Sequence, residues 1–192
     1  MWDNEKAEKL DVTITPGSGL PNPDESTEFH AARILLLLYY AGGQRKKSIQ
    51  GRTKIAKLDF FIRYPTYLIK AAQIKHLRTT LHPIAQLESR MIRFRYGPWD
   101  ENYYNTFSYL VAKDLVSINN SKKGDVFQLT DRGKTAAEEL RGVEFDEIIE
   151  RCKLVYELFG TSSGTSIKEF IYDNFPEIVA KPLGESINQK NG

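Results

Sequence analysis

The stretch that decides the fold is Met91-Ile-Arg-Phe-Arg-Tyr-Gly-Pro-Trp-Asp100. Its first six residues alternate between apolar and charged side chains, which predicts a half-buried strand over 91–96. Gly97 and Pro98 then end this strand, and a proline at this point predicts the start of a helix. The helix is predicted over 102–115, with an inward stripe at helical spacing. That stripe consists of Tyr103, Phe107, Leu110 and Val111.

A small wing follows this helix. Two short strands are predicted at 116–118 and 126–129, joined by the polar turn 119–125. Thr130 is a natural N-cap for the helix that begins after it. Strand, helix, two-stranded wing and helix in this order predict a winged-helix core within a mainly α fold with a small β-wing, of the α+β class. Winged helices serve both DNA binding and subunit contacts, so the architecture alone leaves the function open.

The chain is predicted to divide into four segments. Residues 1–25 contain several Pro and Gly but few apolar residues, which predicts a flexible N-terminal arm. Residues 26–141 form the winged-helix-like domain, with an insertion at 65–97 that is far longer than the turn of about 3–4 residues in a minimal helix-turn-helix. Residues 142–175 are a C-terminal helical extension, and residues 176–192 are a tail. Outside the wing, the predicted elements are helices at 26–43, 52–64, 65–77, 144–159 and 166–175 and a basic loop at 44–51.

The composition, 41% hydrophobic and 27% charged, is that of a globular protein. The single cysteine, Cys152, cannot form an internal disulfide, so nothing indicates secretion. The apolar run Ala31–Ala41 contains Arg33 and is too short to span a membrane. It also lies behind an acidic leader, too far along the chain for a signal peptide. We therefore expect a cytoplasmic protein without membrane contacts.

Catalytic, metal-binding and cofactor-binding patterns are weak throughout. His30, His76 and His82 lack the spacing of a zinc site, and one cysteine cannot supply a thiolate cluster. Cys152 falls on the inward stripe of its helix, as a small buried apolar residue would. The loop 160–166 is rich in Gly, Ser and Thr, but it lacks the lysine of a phosphate-binding P-loop and follows a helix. We expect no catalytic residue, no metal and no cofactor, and so a protein that is not an enzyme.

Positive charge is concentrated in one part of the chain. The net charge is only +2, but residues 44–95 carry thirteen Lys and Arg against two acidic residues. Such a block favours contact with a nucleic-acid backbone or with an acidic surface of a partner protein. The alternative is a set of solvated side chains that pair with acidic residues of the folded chain. The candidate contact residues are Arg45, Lys46, Lys47, Arg52, Lys54, Lys57, Arg90, Arg93 and Arg95, with Lys122 and Lys123 in the wing.

The helix before the wing is a poor reader of DNA sequence. In a DNA-reading winged helix this element enters the major groove, but here three acidic residues, Asp100 among them, outnumber the single basic residue, Lys113. The aromatic residues of this region exceed what one core face can absorb, so some of them should be exposed. Exposed Trp and Tyr are typical anchors of protein–protein interfaces. We therefore predict that Trp99 and Tyr104 contact a protein partner.

Three segments together resemble a known family. They are Arg52–Pro65, Met91–Asp100 and Leu129-Thr-Asp-Arg-Gly133, and they fall within residues 26–141. In combination they resemble the middle component of bacterial ABC-three-component systems, which include the Lamassu-type antiphage defences. The resemblance implies a small, winged-helix-like, non-catalytic subunit. It also implies that this subunit works beside an SMC-like ATPase and an effector, commonly a nuclease.

Three functions follow from these features. The first is an accessory or adaptor subunit, kleisin-like or wing-domain-like, that bridges an SMC-like ATPase and an effector nuclease in antiphage or anti-plasmid defence and contacts DNA backbone without sequence specificity. The second is a stand-alone winged-helix transcription regulator. The third is an antitoxin-like inhibitor that masks a toxin with the acidic arm at 1–25. The long insertion at 65–97 favours the adaptor over the regulator.

Overall fold

A computed structural model of the protein describes residues 26–43, 47–82, 91–122, 124–142 and 144–187. The fold is mainly helical, with two small antiparallel sheets. The helices are α1 (Thr27–Ala41), α2 (Arg52–Arg63), α3 (Pro65–Ile74), α4 (Tyr103–Ala112), α5 (Asp131–Glu139), α6 (Asp146–Phe159), α7 (Gly164–Asn174) and α8 (Pro176–Val179). The strands are β1 (Ser48–Gln50), β2 (Ile92–Phe94), β3 (Gly97–Trp99), β4 (Val116–Ser121) and β5 (Gly124–Leu129). The predictions for residues 1–25, Arg45, Lys46, Arg90, Lys123 and residues 188–192 lie outside the described residues.

Helix α1, predicted over 26–43, is the centre of the core. The side chain of Ser26 caps its start by accepting a hydrogen bond from the backbone N–H of Phe29 at 3.3 Å. The helix ends at Gly42, whose N–H donates to the carbonyl of Leu38 at 3.0 Å. Because α1 is apolar on nearly every face, it packs against α4, α5, α6 and β5. Leu36 and its apolar neighbours on the helix are fully buried.

The hairpin of β4 and β5, which was predicted as a wing and keeps that name here, is part of a three-stranded sheet with the order β1-β5-β4. Strands β4 and β5 form an antiparallel hairpin in which Val116 pairs with Leu129. Strand β1 pairs antiparallel with β5, and the side chains of Ile49 and Phe127 are buried where the two strands meet. The prediction of a loop over 44–51 is wrong for Ser48–Gln50, because pairing with β5, and not a pattern within three residues, makes them a strand.

The region around Gly97 differs from its prediction. Instead of ending a strand and opening a helix, Gly97–Trp99 forms β3 and pairs antiparallel with β2, with Ile92 opposite Trp99. Gly97 adopts a φ of +119°, which allows the sharp turn between the two strands. Helix α4 begins only at Tyr103.

The C-terminal elements share the core of the preceding domain. Helices α6 and α7 pack on α2, and the ring of Phe61 stacks on that of Phe159 at 4.7 Å between centroids. Residues 176–187, expected to be part of a tail, begin with α8 and are anchored by the buried side chains of Ile178 and Ile187. Single apolar residues in a polar segment give no periodic pattern, so the sequence did not reveal this packing.

Candidate partner-binding and anion-binding surfaces

A buried ion network positions the start of α4. Asp59 on α2 accepts hydrogen bonds from Arg33 Nε at 2.8 Å and from the hydroxyl of Tyr103 at 2.7 Å. Arg63, one turn further along α2, donates to Asp100 Oδ2 at 2.7 Å and lies 3.9 Å from Asp59 Oδ2. The side chains of Asp59 and Arg63 are fully buried. The network therefore ties α1, α2 and the start of α4 together.

The charges in this network compensate one another. Burial raises the pKa of the Asp59 carboxyl, but the neighbouring guanidinium groups of Arg33 and Arg63 outweigh burial and hold that pKa below its ordinary value. Burial, with the adjacent Asp59 carboxylate, raises the pKa of Tyr103 well above its ordinary value. Asp100, one of the acidic residues that argued against DNA reading by this helix, is buried against Arg63. The network is structural and leaves none of these charges for a partner.

Four aromatic side chains form what we call the aromatic strip: Phe94, Tyr96, Trp99 and Tyr104. The ring of Phe94 lies 6.2 Å from that of Tyr96 and 5.9 Å from that of Trp99, which lies 5.9 Å from that of Tyr104. Phe94, Tyr96 and Tyr104 are 42%, 49% and 56% exposed. The expected exposure of Trp99 is wrong, because its indole is 8% exposed and packs edge-on against Tyr103. Three rings of the strip are therefore exposed to solvent, and the fourth, that of Trp99, is buried.

The strip continues into an apolar groove between α4 and the wing, here called the α4–wing groove. Tyr104 and Val111 of α4 and Ile118 of β4 line it, above the buried rings of Phe107 and Phe127. Val111 was expected to face the core but is 44% exposed, and Ile118 is 40% exposed. Helix α4 contains no charged residue between its first and last positions. Its exposed face is therefore uncharged, although one arginine of α2 also lines the groove.

Several of the predicted basic contact residues are occupied within the chain. The Nη2 of Arg52 lies 2.6 Å from Asp125 Oδ2, which joins α2 to the wing. A guanidinium nitrogen of Arg93 donates to the backbone carbonyl of Lys181. The ammonium of Lys47 lies 4.4 Å from the centre of an aromatic ring on α1. Arg52 therefore pairs with an acidic residue, as the alternative interpretation of the charge expected, while Arg93 and Lys47 have other contacts within the chain.

The remaining basic residues divide between two places. Arg95 is exposed beside the ring of Tyr96, and Lys122 is exposed in the turn of the wing. Lys54 and Lys57 instead line a cavity at the start of α2, which they share with Lys168 of α7. Lys168 lies more than a hundred residues away in the sequence, so no local pattern pointed to it.

The sequence also raised the questions of a reactive cysteine, a metal site and a membrane span. Cys152 is buried, as predicted, and burial raises the pKa of its thiol. Among the described residues, no three His, Cys, Asp or Glu side chains are grouped so that they could hold a metal ion. Within the same part of the chain, every helix is too short or too polar to cross a membrane.

The fold and its surfaces define a small, mainly helical α+β protein with an exposed apolar groove. Residues 27–181 match the family described as "ABC-three component (ABC-3C) system Middle Component 2", so the chain belongs to this family. By that description it is one part of a system with other components. No curated protein and no solved structure matches the chain.

Proposed function

We propose that this protein is the adaptor subunit of an ABC-three-component defence system, of the Lamassu type, and acts in the cytoplasm. In this proposal it bridges an SMC-like ATPase and an effector nuclease without catalysing a reaction itself. The observation that carries the proposal is the uncharged, exposed face of α4, which joins the aromatic strip to the α4–wing groove. Membership of the middle-component family supports the same assignment.

The position of α4 in the fold supports the assignment of this face to a protein partner. The element order α1, β1, α2, α4 and the hairpin β4–β5, with the sheet order β1-β5-β4, supports a winged-helix arrangement in which α4 is the helix before the wing. A DNA-reading protein presents donors and acceptors from this helix to base edges and phosphates. Here the exposed side chains of α4 are uncharged, and apart from Asn105 and Ser108 they are Tyr104, Val111 and Ala112. Apolar side chains cannot replace the hydration of a phosphate, but they do bury favourably against another protein.

The proposal assigns separate contacts to the basic residues. Arg95 is exposed at the rim of the aromatic strip, and Lys122 is exposed in the wing. Among the residues that the structure describes, these two are the candidates for contact with DNA backbone or with an acidic surface of the ATPase. Such contacts add affinity that is not specific for sequence and that weakens as salt is raised. The apolar contact depends little on salt, so the two kinds of contact are separable by experiment.

A tagged pull-down of the protein, co-expressed with its genomic neighbours, tests the proposal. At about 150 mM salt, where exposed charges are largely screened, we expect recovery of a large ATPase in a fixed ratio. Tyr104→Ala should weaken the complex by about 30-fold, the effect of an interface anchor worth about 2 kcal/mol. Val111→Ser should weaken it less. The matched control is Ile74→Ser on α3, because Ile74 is 43% exposed but lies outside the groove.

The outcomes separate the proposal from its alternatives. Equal recovery of the ATPase with Tyr104→Ala, Val111→Ser and the control would show that the α4–wing groove is not the docking surface. Recovery of the protein alone would favour the second candidate function, a winged-helix transcription regulator, for which the sheet order is the supporting observation. A regulator should bind one operator roughly 10³-fold or more tightly than random duplex.

A further inference from the structure

A cavity of about 700 Å³ opens where the first turns of α2 and α7 meet the turn between β2 and β3. Its walls include the side chains of Lys54, Lys57, Lys168 and Tyr96. Hydroxyl groups at the starts of α2 and α7 also line the cavity, and no carboxylate lines it among the described residues. Three lysines therefore share one cavity without an acidic partner there.

The burial of Lys57 is the central observation. Its residue is 2% exposed, and the hydrogen bond that its ammonium donates within the described part of the chain goes to the backbone carbonyl of Thr53, at 3.1 Å. Burial, with a contribution from nearby Lys168, lowers the pKa of Lys57 to about 8. A buried ammonium that lacks a counter-ion is unfavourable, and a bound anion would remove that disadvantage.

The backbone around the cavity is arranged for the same kind of ligand. Gly164, at the start of α7, would place a Cβ 3.5 Å from the Cβ of Lys54, so the first turns of the two helices are in direct contact. Both helices exceed two turns, and their positive ends open on the cavity. Gly97 leaves room for the stem of Lys57, since a Cβ there would lie 3.2 Å from Lys57 Cε.

We propose that this cavity binds a phosphate group, with Lys57 and Lys168 as its charged ligands and Lys54 at its wall. The phosphate belongs to a nucleic-acid strand, because the half-exposed ring of Tyr96 at the rim offers a platform on which a base can stack. The cavity also has room for a nucleotide unit and not only for its phosphate. This site goes beyond the proposed adaptor role. It shares Tyr96 with the aromatic strip but none of the residues that line the α4–wing groove.

Binding to the full-length protein tests the proposal with two probes. Fluorescence anisotropy follows a short, labelled single-stranded oligonucleotide, and a thermal-shift titration follows inorganic phosphate. We expect Lys57→Met and Lys168→Met each to weaken binding by about tenfold or more, the value of a charge-assisted hydrogen bond. The matched control is Lys134→Met, which removes the same charge from an exposed lysine on α5 that is paired with Asp131.

Each outcome supports or overturns the site. Oligonucleotide binding that both cavity variants weaken and the control retains supports the site with a strand phosphate. Stabilisation by inorganic phosphate alone, lost in the same two variants, supports the site with a free anion as its ligand. If the wild-type protein binds neither probe, or if Lys134→Met loses as much as the cavity variants, the site does not exist. Should Lys57→Met fail to fold, Lys168→Met alone decides the test, since Lys168 is only partly buried.

The result also stays separate from the test of the adaptor. Recovery of the ATPase is scored with Tyr104→Ala, and phosphate binding is scored with Lys57→Met and Lys168→Met. Loss of either readout leaves the other in place. A failed pull-down therefore does not count against the phosphate site, and a failed phosphate titration does not count against the adaptor.

Discussion

Two cations on α2, Lys57 and Arg63, are both buried, but their surroundings are opposite. Arg63 lies between two carboxylates, those of Asp59 and Asp100. Lys57 faces a second lysine and a backbone carbonyl. Burial of a charge is therefore not by itself a sign of function. A buried charge that is paired with opposite charges in the chain indicates a structural role. A buried charge without such a pair is a candidate for binding a ligand.

The largest expected change in stability comes from replacing Arg63, whose charge is paired within the chain. Arg63→Met leaves the carboxylate of Asp100 buried without its guanidinium partner and removes one of the two cations next to Asp59. We expect the free energy of unfolding to fall by about 3–5 kcal/mol, as for other broken buried ion pairs. Urea unfolding followed by circular dichroism measures it. An unchanged midpoint would mean that the network does not stabilise the fold.

The same chemical change at Lys57 should have the opposite sign. Lys57→Met keeps the length of the stem and removes a charge that has no acidic partner among the described residues. In buffer without phosphate we expect the free energy of unfolding to rise by about 2 kcal/mol. The urea midpoint measures this effect, with Lys134→Met on α5 as the exposed control. A loss of stability in Lys57→Met, similar to that of Arg63→Met, would remove the contrast between the two cations.

The glycine beside Lys57 offers a smaller change that keeps the charge. Gly97→Ala places a Cβ 3.2 Å from Lys57 Cε and forces a side chain onto a backbone with a φ of +119°. We expect a loss of about 1–2 kcal/mol in stability, the usual penalty for a side chain at positive φ. Thermal unfolding measures it. Gly184→Ala is the matched control, since Gly184 also has a positive φ, of +86°, but open space around its missing Cβ. A loss in Gly97→Ala no greater than in the control would mean that the contact with Lys57 costs nothing.

The smallest effect is the pH dependence that Lys57 contributes. Its pKa is about 8 in the folded protein and 10.5 as the ordinary value. Between these values the unfolded chain binds more protons than the folded one, so stability rises with pH. We expect the wild type to gain about 1 kcal/mol relative to Lys57→Met between pH 7 and pH 9. Parallel urea midpoints for the two proteins across this range would contradict the lowered pKa.

The parts of the fold that the sequence predicts well have strong local signals. Ser26 and Gly42 mark both ends of α1, and the helix lies between them as predicted. Thr130 caps α5, as expected, by accepting from the N–H of Gly133 at 2.9 Å. The hairpin β4–β5 also lies where the turn residues indicate, although it is longer than predicted. Caps and turns act within a few residues, so a single sequence reveals them.

The parts that were missed depend on residues that are distant in the sequence. Trp99 is buried because β3 pairs with β2, and its aromatic character alone gave no sign of that hairpin. Lys168 reaches the same cavity as Lys57 only because α7 packs on α2. Tyr104, Lys54 and Lys57 were candidates from the sequence, whereas Tyr96, Ile118 and Lys168 were not. What the sequence could not supply was which of them are neighbours.

The segment that leads to Ile187 has a consequence for the order in which the molecule forms. Ile187 N–H donates to the carbonyl of Met91 at 2.7 Å, and its carbonyl accepts from the hydroxyl of Tyr64 at 3.0 Å. The outer edge of β2, which carries one ring of the aromatic strip, is thus held by a segment made almost a hundred residues later. Contacts of such high sequence separation form late, and a ribosome adds residues from the N-terminus onward. The aromatic strip therefore reaches its final geometry only once residues 185–187 are available to pair with the edge of β2.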